Sequence, residues 1–339
     1  RTGPPAAQAP ERPVRLAILI HSLSAGGAER VAVHLANHFA AAGWQVTVLT
    51  LDTADADVYQ PDPGVTRQPL GVAQASHGLA AALSGTLRRI RAVRAALKSG
   101  RFDTVLALTS YIAVLTLLST RGLPIRVIVS ERIHPPSLRI GRAWHVLRKH
   151  LYRSADAVVV LADQSRQWIE THAPGARPQL IPNPVVLPLP DTEPRLDPAR
   201  HVASGRPLLL AVGRLSPQKG FDTLIAAFGR IASALPDWQL VIIGEGDERA
   251  TLQAQVERLG LSESIRLPGL AGNLADWYRE ADLFVLSSRF EGFPNALAEA
   301  MAHGCAAVAF DCPTGPRDLV RDGVDGVLVR TLDDAGALA

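Results

Sequence analysis

Short apolar runs alternate with longer segments of helical periodicity along the whole chain. In the first half these runs are rich in β-branched residues and carry few polar ones, as strands buried on both faces of a parallel sheet do. After the first run, Val31, Leu35 and Phe39 recur on one helical face, and Gly43 provides a helix end. The pattern predicts a helix at residues 28–42 and strands at residues 14–20, 45–51, 104–108, 126–130 and 157–161.

The same alternation restarts after residue 205. It predicts strands at residues 208–212, 239–243, 264–267, 283–286 and 306–310. The segments between and after them predict helices at residues 221–234, 247–259, 274–281 and 295–303. Strands that alternate with helices imply parallel sheets covered by helices on both faces. We therefore predict an α/β fold of two facing Rossmann-like, doubly wound domains with a cleft between them.

A proline-rich stretch, Pro182-Asn-Pro-Val-Val-Leu-Pro-Leu-Pro190, separates the two halves. It predicts an N-terminal domain at residues 14–183, a linker at 184–206 and a C-terminal domain at 207–339. Residues 1–13 are rich in Pro and Ala and show no periodicity, so we expect a flexible leader. They contain no apolar core of the kind that a signal peptide has.

Composition narrows the class of protein. The 339 residues are 47% apolar and 20% charged, which excludes disorder as the dominant state. Cys305 and Cys312 are the only cysteines, too few for a disulfide framework. The longest weakly polar run, at 104–120, is bounded by Asp103 and Arg121 and contains Thr and Ser. It predicts a buried strand and helix rather than a membrane span, and we expect a cytoplasmic protein.

The net charge of +3 hides a division between the halves. Residues 1–190 carry 21 basic and 11 acidic side chains, whereas residues 191–339 carry 14 and 21. The first half contains two basic clusters, made of Arg88, Arg89, Arg91, Arg94 and Lys98, and of Arg139, Arg142, Arg148, Lys149 and Arg153. The first cluster lies on a predicted helix after residue 85 whose apolar face is formed by Leu87, Ile90, Val93 and Leu97.

These clusters, with Trp144 near the second, suit peripheral contact with an anionic membrane surface or binding of a pyrophosphate-linked lipid. The alternative is a solvated helix face. Nucleic acid is disfavoured as a partner because no aromatic platform accompanies the charge.

The first candidate motif, Ser24-Ala-Gly-Gly-Ala-Glu-Arg30, follows the first predicted strand and opens the first predicted helix. Gly26 and Gly27 allow a ligand close to the backbone, and a helix N-terminus offers unpaired N–H groups to an anion. The motif lacks the GxGxxG spacing of dinucleotide sites and the GxxxxGK[ST] of P-loops. A tight turn without a binding function is the alternative.

The second motif, Gly213-Arg-Leu-Ser-Pro-Gln-Lys-Gly220, occupies the equivalent place in the second half. Only three of the 35 basic residues are Lys, so a Lys kept in this loop indicates a need for a compact positive charge. Arg214 and Lys219 can converge at the end of the strand, where two cations suit a diphosphate and its developing negative charge. The alternative is a solvated basic turn.

A third glycine-rich segment, Gly244-Glu-Gly-Asp-Glu-Arg249, also follows a predicted strand. Arg249 stands where a dinucleotide fingerprint has its last glycine, and the acidic residues would repel phosphate. We interpret the segment as a helix start capped by Asp247, and we predict no cofactor.

The fourth motif, Glu291-Gly-Phe-Pro-Asn-Ala-Leu-Ala-Glu299, is the strongest. It places Glu291 in a loop before a helix and Glu299 on the second turn of that helix. Two carboxylates in these positions can accept hydrogen bonds from a polyol, and the N–H groups of Asn295 and Ala296 are predicted to face the cleft. The alternative is that both carboxylates are structural.

Four motifs in this order resemble the retaining glycosyltransferases of family 4, which have the GT-B fold. They are Gly-Gly-Ala-Glu-Arg at 26–30, Gly213 to Gly220, Glu-x7-Glu at 291–299 and Gly315-Pro-Arg-Asp318. The resemblance covers residues 14–330. The segment Asp311-Cys-Pro-Thr-Gly-Pro-Arg317 resembles members that build glycans or polysaccharide on lipid carriers, often from UDP-sugars.

The resemblance implies a metal-independent hexosyltransferase that moves a sugar from a nucleoside diphosphate sugar to a glycan or lipid-linked acceptor. Arg214 and Lys219 would hold the diphosphate, Glu291 the hydroxyls of the sugar and Glu299 those of the ribose. Gly27 would lie near the diphosphate or the acceptor. The family implies proton transfer from the acceptor to a donor phosphate oxygen. The basic clusters add the expectation that this cytoplasmic protein lies peripherally on the inner face of the cell membrane.

Two departures from the family pattern stand out. Many members carry an active-site His after the strand that corresponds to residues 126–130, whereas here Glu131 or Arg132 occupies that position and His134 follows two residues later. The family also ends with a helix that returns to the first domain, and no pattern before Ala339 predicts one, so we expect a fragment. The alternative functions are a sugar-nucleotide epimerase of the same architecture and a non-catalytic nucleotide-sugar-binding protein.

Overall fold

The computed structural model describes residues 12–24, 26–55, 57–74, 79–138 and 141–339. The chain forms two compact units, the first ending at Ile181 and the second running from Pro182 to Ala339. Within the described ranges, no helix is long and apolar enough to cross a membrane. The predicted leader lies almost entirely outside the described residues.

The first unit is a parallel seven-stranded sheet with the order β3-β2-β1-β4-β5-β6-β7. Its strands are β1 (Arg15–Ile20), β2 (Gln45–Thr50), β3 (Thr66–Pro69), β4 (Thr104–Leu108), β5 (Arg126–Ser130), β6 (Ala157–Val160) and β7 (Pro178–Leu180). Its helices are α1 (Gly27–Ala41), α2 (Leu79–Gly100), α3 (Ser110–Ser119), α4 (Arg142–Leu151) and α5 (Asp163–His172). Two apolar clusters fill the two faces of this sheet, so the weakly polar run at 104–120 is a buried strand and helix, as predicted.

The second unit is a parallel six-stranded sheet with the order β10-β9-β8-β11-β12-β13. Its strands are β8 (Leu208–Val212), β9 (Gln239–Ile243), β10 (Ile265–Gly269), β11 (Leu283–Leu286), β12 (Ala306–Phe310) and β13 (Gly326–Val329). Its helices are α6 (Phe221–Ile231), α7 (Arg249–Arg258), α8 (Leu274–Glu280), α9 (Asn295–Ala302), α10 (Pro316–Leu319) and α11 (Ala335–Leu338). The prediction of two Rossmann-like α/β domains is confirmed.

In both sheets the strand order reverses beside the first strand of the unit. β1 pairs with β2 on one side and β4 on the other, and β8 likewise pairs with β9 and β11. The loops at the carboxyl ends of two such strands diverge, which leaves a crevice that binds ligands in doubly wound folds. The motif at 213–220 follows β8 and the segment at 287–294 follows β11, so both lie at the crevice of the second sheet.

The predicted cap of the helix at 247 is wrong. α7 begins at Arg249, and its N-cap residue is Glu248, whose side chain makes no capping hydrogen bond. The segment is instead fixed by its backbone, because the Glu248 N–H donates to the carbonyl oxygen of Leu215 at 3.0 Å. A Cβ atom on Gly246 would lie 2.3 Å from that same oxygen, which explains the glycine there.

Candidate functional site

The loop after β8 delivers Lys219 to the crevice of the second unit. Pro217 to Lys219 form one turn of 3₁₀ helix, and Gly220 follows with a left-handed backbone at φ +62°. A Cβ atom on Gly220 would lie 2.2 Å from the carbonyl oxygen of Ser287, so only glycine allows this approach. A Cβ on Gly213 would lie 3.1 Å from the Cε of Lys219, so that glycine gives the lysine stem its space.

The loop after β11 brings Glu291 to the same place. The Lys219 Nζ lies 2.6 Å from the Glu291 Oε1. The Ser288 hydroxyl donates to the same carboxylate oxygen at 2.6 Å. Glu291 and Ser288 are buried, with relative exposures of 5% and 1%. The two predicted site residues therefore form a partly buried ion pair that a buried hydroxyl orients.

Hydrogen bonds along their length join these two loops. The Arg289 N–H donates to the Gln218 carbonyl oxygen at 2.9 Å, and the Gln218 side-chain amide donates to the Phe290 carbonyl oxygen at 2.9 Å. The Ser287 hydroxyl donates to the Lys219 carbonyl oxygen at 2.8 Å. This bracing holds the ion pair on a preorganised backbone, as electrostatic binding of a charged ligand requires.

Arg289 anchors the loop after β11 to the body of the unit. Its guanidinium lies 2.7 Å from carboxylate oxygens of both Asp222 and Asp333, and it also donates to the Pro217 carbonyl oxygen. These hydrogen bonds raise the pKa of Arg289 and lower that of Asp333. Arg289 thus connects the loop after β11 to α6 and to the segment before α11.

Replacing this anchor should loosen the site. We expect Arg289→Met to lower the free energy of unfolding of the second unit by about 1–2 kcal/mol, because it removes several charge-assisted hydrogen bonds. Arg279→Met is the matched control, since Arg279 is 61% exposed and, among the described residues, pairs only with Asp276. That pair should contribute about 0.5 kcal/mol or less. Chemical denaturation measures both, and equal losses would contradict the anchoring role.

Glu299 lies on the second turn of α9, as predicted. It is 5% exposed, and the Tyr278 hydroxyl donates to its Oε2 at 3.2 Å. The Asn295 side chain accepts a hydrogen bond from the Asn183 amide at 2.8 Å. The Asn295 N–H donates to the Phe293 carbonyl oxygen at 3.0 Å, so the prediction that this N–H faces a ligand is wrong. Ala296 is partly buried at the second residue of α9.

The segment after β12 closes the other side of Glu291. The Glu291 N–H donates to the Pro313 carbonyl oxygen at 2.7 Å, and the Thr314 hydroxyl donates to the carbonyl oxygens of Glu291 and Gly292 at 3.2 and 3.1 Å. Cys312 is buried, and burial together with the nearby Glu291 carboxylate raises the pKa of its thiol to about 12. The thiol is therefore neutral at physiological pH.

Other predicted residues lie at the carboxyl end of the sheets. Arg214 is exposed on the loop after β8. Gly26 is the N-cap of α1 and Gly27 its first residue. Arg132 follows β5; burial lowers its pKa to about 10, an effect opposed by the Glu29 carboxylate in the first turn of α1. The charge of Arg132 therefore lies near that of Glu29.

Glu131, by contrast, is not available to a ligand. Its buried carboxylate accepts hydrogen bonds from the hydroxyls of Ser110 and Tyr152, and the Arg148 Nη1 lies 3.8 Å away. Burial raises the pKa of Glu131, and it is the larger effect over the Arg148 charge and the two hydroxyls, which lower it. The structure contradicts the predicted substrate-binding role, because all these partners are internal to the first unit.

Two features of the predicted basic clusters also need correction. Arg148 is fully buried, with its guanidinium 4.7 Å from the centre of the Trp168 ring, so it cannot contact a membrane. Leu87 was assigned to the apolar face of its helix but is 52% exposed, whereas Val93 and Leu97 are buried as predicted. Arg139 lies outside the described residues. The side chains that remain exposed are those of Arg88, Arg91, Lys98, Arg142 and Arg153.

His134, two residues beyond the family position, lies with its Nδ1 3.0 Å from the Ser165 hydroxyl, and burial lowers its pKa.

Sequence reasoning missed Ser288, Gln218 and Arg289. Gln218 and Arg289 each have a partner 72 residues away in the chain, whereas Ser288 donates to Glu291 within its own loop. Within the described ranges, no group of three or more His, Cys, Asp or Glu side chains is placed to hold a metal ion.

Two family models match the chain. "Glycosyl transferase 4-like domain" matches residues 26–184, and "Glycosyl transferases group 1" matches residues 206–339. An exopolysaccharide phosphotransferase of Streptomyces coelicolor is 34% identical over 67% of this chain, but the match covers only 23% of that relative's length.

Two further relatives match over most of their length. An amylovoran biosynthesis glycosyltransferase of Erwinia amylovora is 27% identical over 93% of this chain and 85% of its own. A Campylobacter jejuni N-acetyl-D-galactosaminyltransferase, whose name specifies a glycan linked to PP-undecaprenol, is 26% identical over 96% of this chain and 87% of its own.

Solved structures share the fold. The sucrose-phosphate synthase of Thermosynechococcus elongatus superposes with a TM-score of 0.80 at 21% identity, over 96% of this chain and 88% of the synthase. Anabaena HepE, solved in complex with UDP and glucose, gives a TM-score of 0.78 at 19% identity over the same shares of the two chains. These structural neighbours are GT-B glycosyltransferases, and the predicted fold class is confirmed.

Proposed function

Because the chain belongs to the group 1 and 4-like glycosyltransferases, we propose that it transfers a sugar from a UDP-sugar to a hydroxyl of a glycan or lipid-linked acceptor, with retention of the anomeric configuration. The observation that carries this proposal is the Lys219–Glu291 pair at the switch point of the second sheet. In this pair, a cation that can bind a diphosphate lies beside a carboxylate that can accept hydrogen bonds from hydroxyl groups. The UDP in HepE and the lipid-linked acceptor of the Campylobacter relative support the choice of substrates.

In the proposed reaction the bond between the anomeric carbon and the diphosphate oxygen breaks, and its electron pair leaves with the diphosphate. Lys219 and Arg214 stabilise that negative charge, and fixed electrostatic groups of this kind supply about 3–4 kcal/mol each. The acceptor oxygen bonds to the anomeric carbon on the face that the diphosphate leaves. Its proton passes to a phosphate oxygen of the departing nucleotide, so no metal ion is assigned a role.

The carboxylates have binding roles in this proposal. Glu291 accepts hydrogen bonds from hydroxyls of the transferred sugar, and Glu299 accepts them from the ribose. Retaining glycosidases instead use a pair of carboxylates as nucleophile and acid. We do not assign that chemistry here, because the Glu291 Oε1 is already held by both Lys219 and Ser288.

The first unit is proposed to bind the acceptor, with Gly26, Gly27 and Arg132 as its polar contacts. Leu83 and Leu87 are 69% and 52% exposed on α2, beside the exposed charges of its basic cluster. Apolar and basic side chains on one helix suit peripheral contact with anionic lipid. This supports a location on the cytoplasmic face of a membrane that carries the lipid-linked acceptor.

A donor screen tests the proposal. Purified protein is incubated with a panel of nucleoside diphosphate sugars, with and without a PP-undecaprenol-linked glycan, and released nucleoside diphosphate is measured. We expect release from a UDP-sugar that depends on the acceptor. Nucleotide release that ignores the acceptor, or an epimerised donor without transfer, would contradict the proposal.

A further inference from the structure

The Lys219–Glu291 pair raises a question of charge balance at the proposed diphosphate site. The two side chains are 19% and 6% exposed, so water screens their interaction poorly. A diphosphate that approaches Lys219 meets a cation whose charge is already matched by a carboxylate 2.6 Å away. The same carboxylate repels the incoming phosphate.

Glu291 is not free to withdraw from this position. Its Oε1 accepts the Ser288 hydroxyl, and its own N–H and carbonyl oxygen are bonded to Pro313 and Thr314. The Lys219 stem lies beside Gly213, where a Cβ atom would stand 3.1 Å from its Cε, and the Lys219 carbonyl oxygen accepts the Ser287 hydroxyl. The backbone on which both partners stand is therefore braced, and an anion that binds Lys219 shares it with the carboxylate.

We infer that Glu291 is an internal counter-ion that competes with the nucleoside diphosphate for Lys219 and so weakens retention of the product nucleotide. This inference rests on the proposed function of the site. A donor sugar offers hydroxyls to the Glu291 carboxylate, and those hydrogen bonds offset the repulsion of the phosphate. The nucleotide product offers no hydroxyl there. Glu291 therefore favours the intact donor over the product at the same pocket.

The test is calorimetric titration of UDP into the wild type and three variants. Glu291→Gln keeps the shape and an oxygen acceptor for Ser288 but removes the charge. We expect it to bind UDP about tenfold more tightly, or about 1.4 kcal/mol, while sugar transfer falls. Lys219→Met and Lys219→Met/Glu291→Gln lack the contested cation, so removal of the carboxylate there relieves only the direct repulsion of the phosphate. UDP affinity should then rise by less than the tenfold expected with Lys219 present.

Two controls make the result specific. Glu245→Gln removes a carboxylate from the neighbouring loop that pairs with Arg249, not Lys219, and should leave UDP affinity within about twofold of wild type. Uridine has no phosphate, so its affinity should not respond to Glu291→Gln. Should Glu291→Gln fail to fold, as judged by loss of uridine binding, Glu291→Ala replaces it in the same cycle.

The outcomes separate the inference from the function on which it rests. If the wild type binds no nucleoside diphosphate among UDP, GDP and ADP, the proposed function fails. If the wild type binds UDP but removal of the Glu291 charge leaves its affinity unchanged or weaker, the inference fails and the proposed function stands. Equal tightening in the presence and absence of Lys219 would also overturn the inference.

Discussion

Lys219→Met should lower the rate of sugar transfer by about a hundredfold to a thousandfold without unfolding the protein. The substitution keeps an unbranched side chain only one atom shorter and removes the positive charge that meets the departing diphosphate. It also leaves the Glu291 carboxylate facing that diphosphate without a cation between them. Both effects act on the charge that develops as the anomeric bond breaks, so kcat should fall.

The chain supplies a matched control for this prediction. Lys98 is one of the three lysines and is exposed on α2, and Lys98→Met makes the same chemical change far from the crevice of the second unit. Its transfer rate on a soluble acceptor should match that of the wild type. If Lys219→Met keeps a rate within about threefold of wild type while folded, Lys219 does not stabilise the leaving group.

Arg148→Met should be among the most destabilising single substitutions in the first unit. It leaves the Glu131 carboxylate buried without its only described cationic partner, the guanidinium at 3.8 Å. Removing one member of a buried ion pair costs about 3–5 kcal/mol, because the other charge remains uncompensated. The substitution also removes the contact between the guanidinium and the Trp168 ring. Unfolding can be followed by tryptophan fluorescence, to which Trp168 contributes.

A double variant and a control test the cause. Glu131→Gln/Arg148→Met removes both charges and should regain much of the lost free energy of unfolding. Lys149→Met changes the neighbouring basic residue, which makes no described ion pair, and should alter stability by about 0.5 kcal/mol or less. A double variant as unstable as Arg148→Met would show that lost packing, not the buried carboxylate, causes the effect.

The loss of stability in Arg148→Met should depend on pH. Burial raises the pKa of Glu131 in the folded protein, and a carboxyl with a raised pKa favours folding at low pH and opposes it once it ionises. Without Arg148, the ionised Glu131 carboxylate has lost its cationic neighbour, so its ionisation destabilises the folded protein more strongly. The deficit of Arg148→Met relative to wild type should therefore be smaller at about pH 5 than at about pH 8.

The buried strands of this fold were predictable because burial on both faces requires a short run of apolar residues. All ten predicted strands exist, and nine of them lie inside their sheets, where coverage on both faces favours apolar residues. The three strands that were missed, β3, β7 and β13, lie at sheet edges and have partly exposed residues such as Arg67 and Gln179. Their pairing comes from the neighbouring strand and not from an apolar run.

The site was predictable in part for a related reason. Lys219 and Glu291 each follow a buried strand, and the order of elements places both strand ends at one crevice. Glu131 also follows a buried strand, yet its carboxylate accepts hydrogen bonds from Ser110 and Tyr152 and pairs with Arg148. Nothing local distinguishes a carboxylate that faces a ligand from one that faces three internal partners, because those partners lie 17 or more residues away.

The configuration of the transferred sugar tests the central claim most directly. A UDP-α-sugar identified by the donor screen is mixed with the lipid-linked acceptor, and the anomeric configuration of the new glycosidic bond is determined by NMR. The account predicts an α-linked product with nucleotide release in equal amount. A β-linked product, or a donor that is hydrolysed or epimerised with no new glycosidic bond, would contradict it.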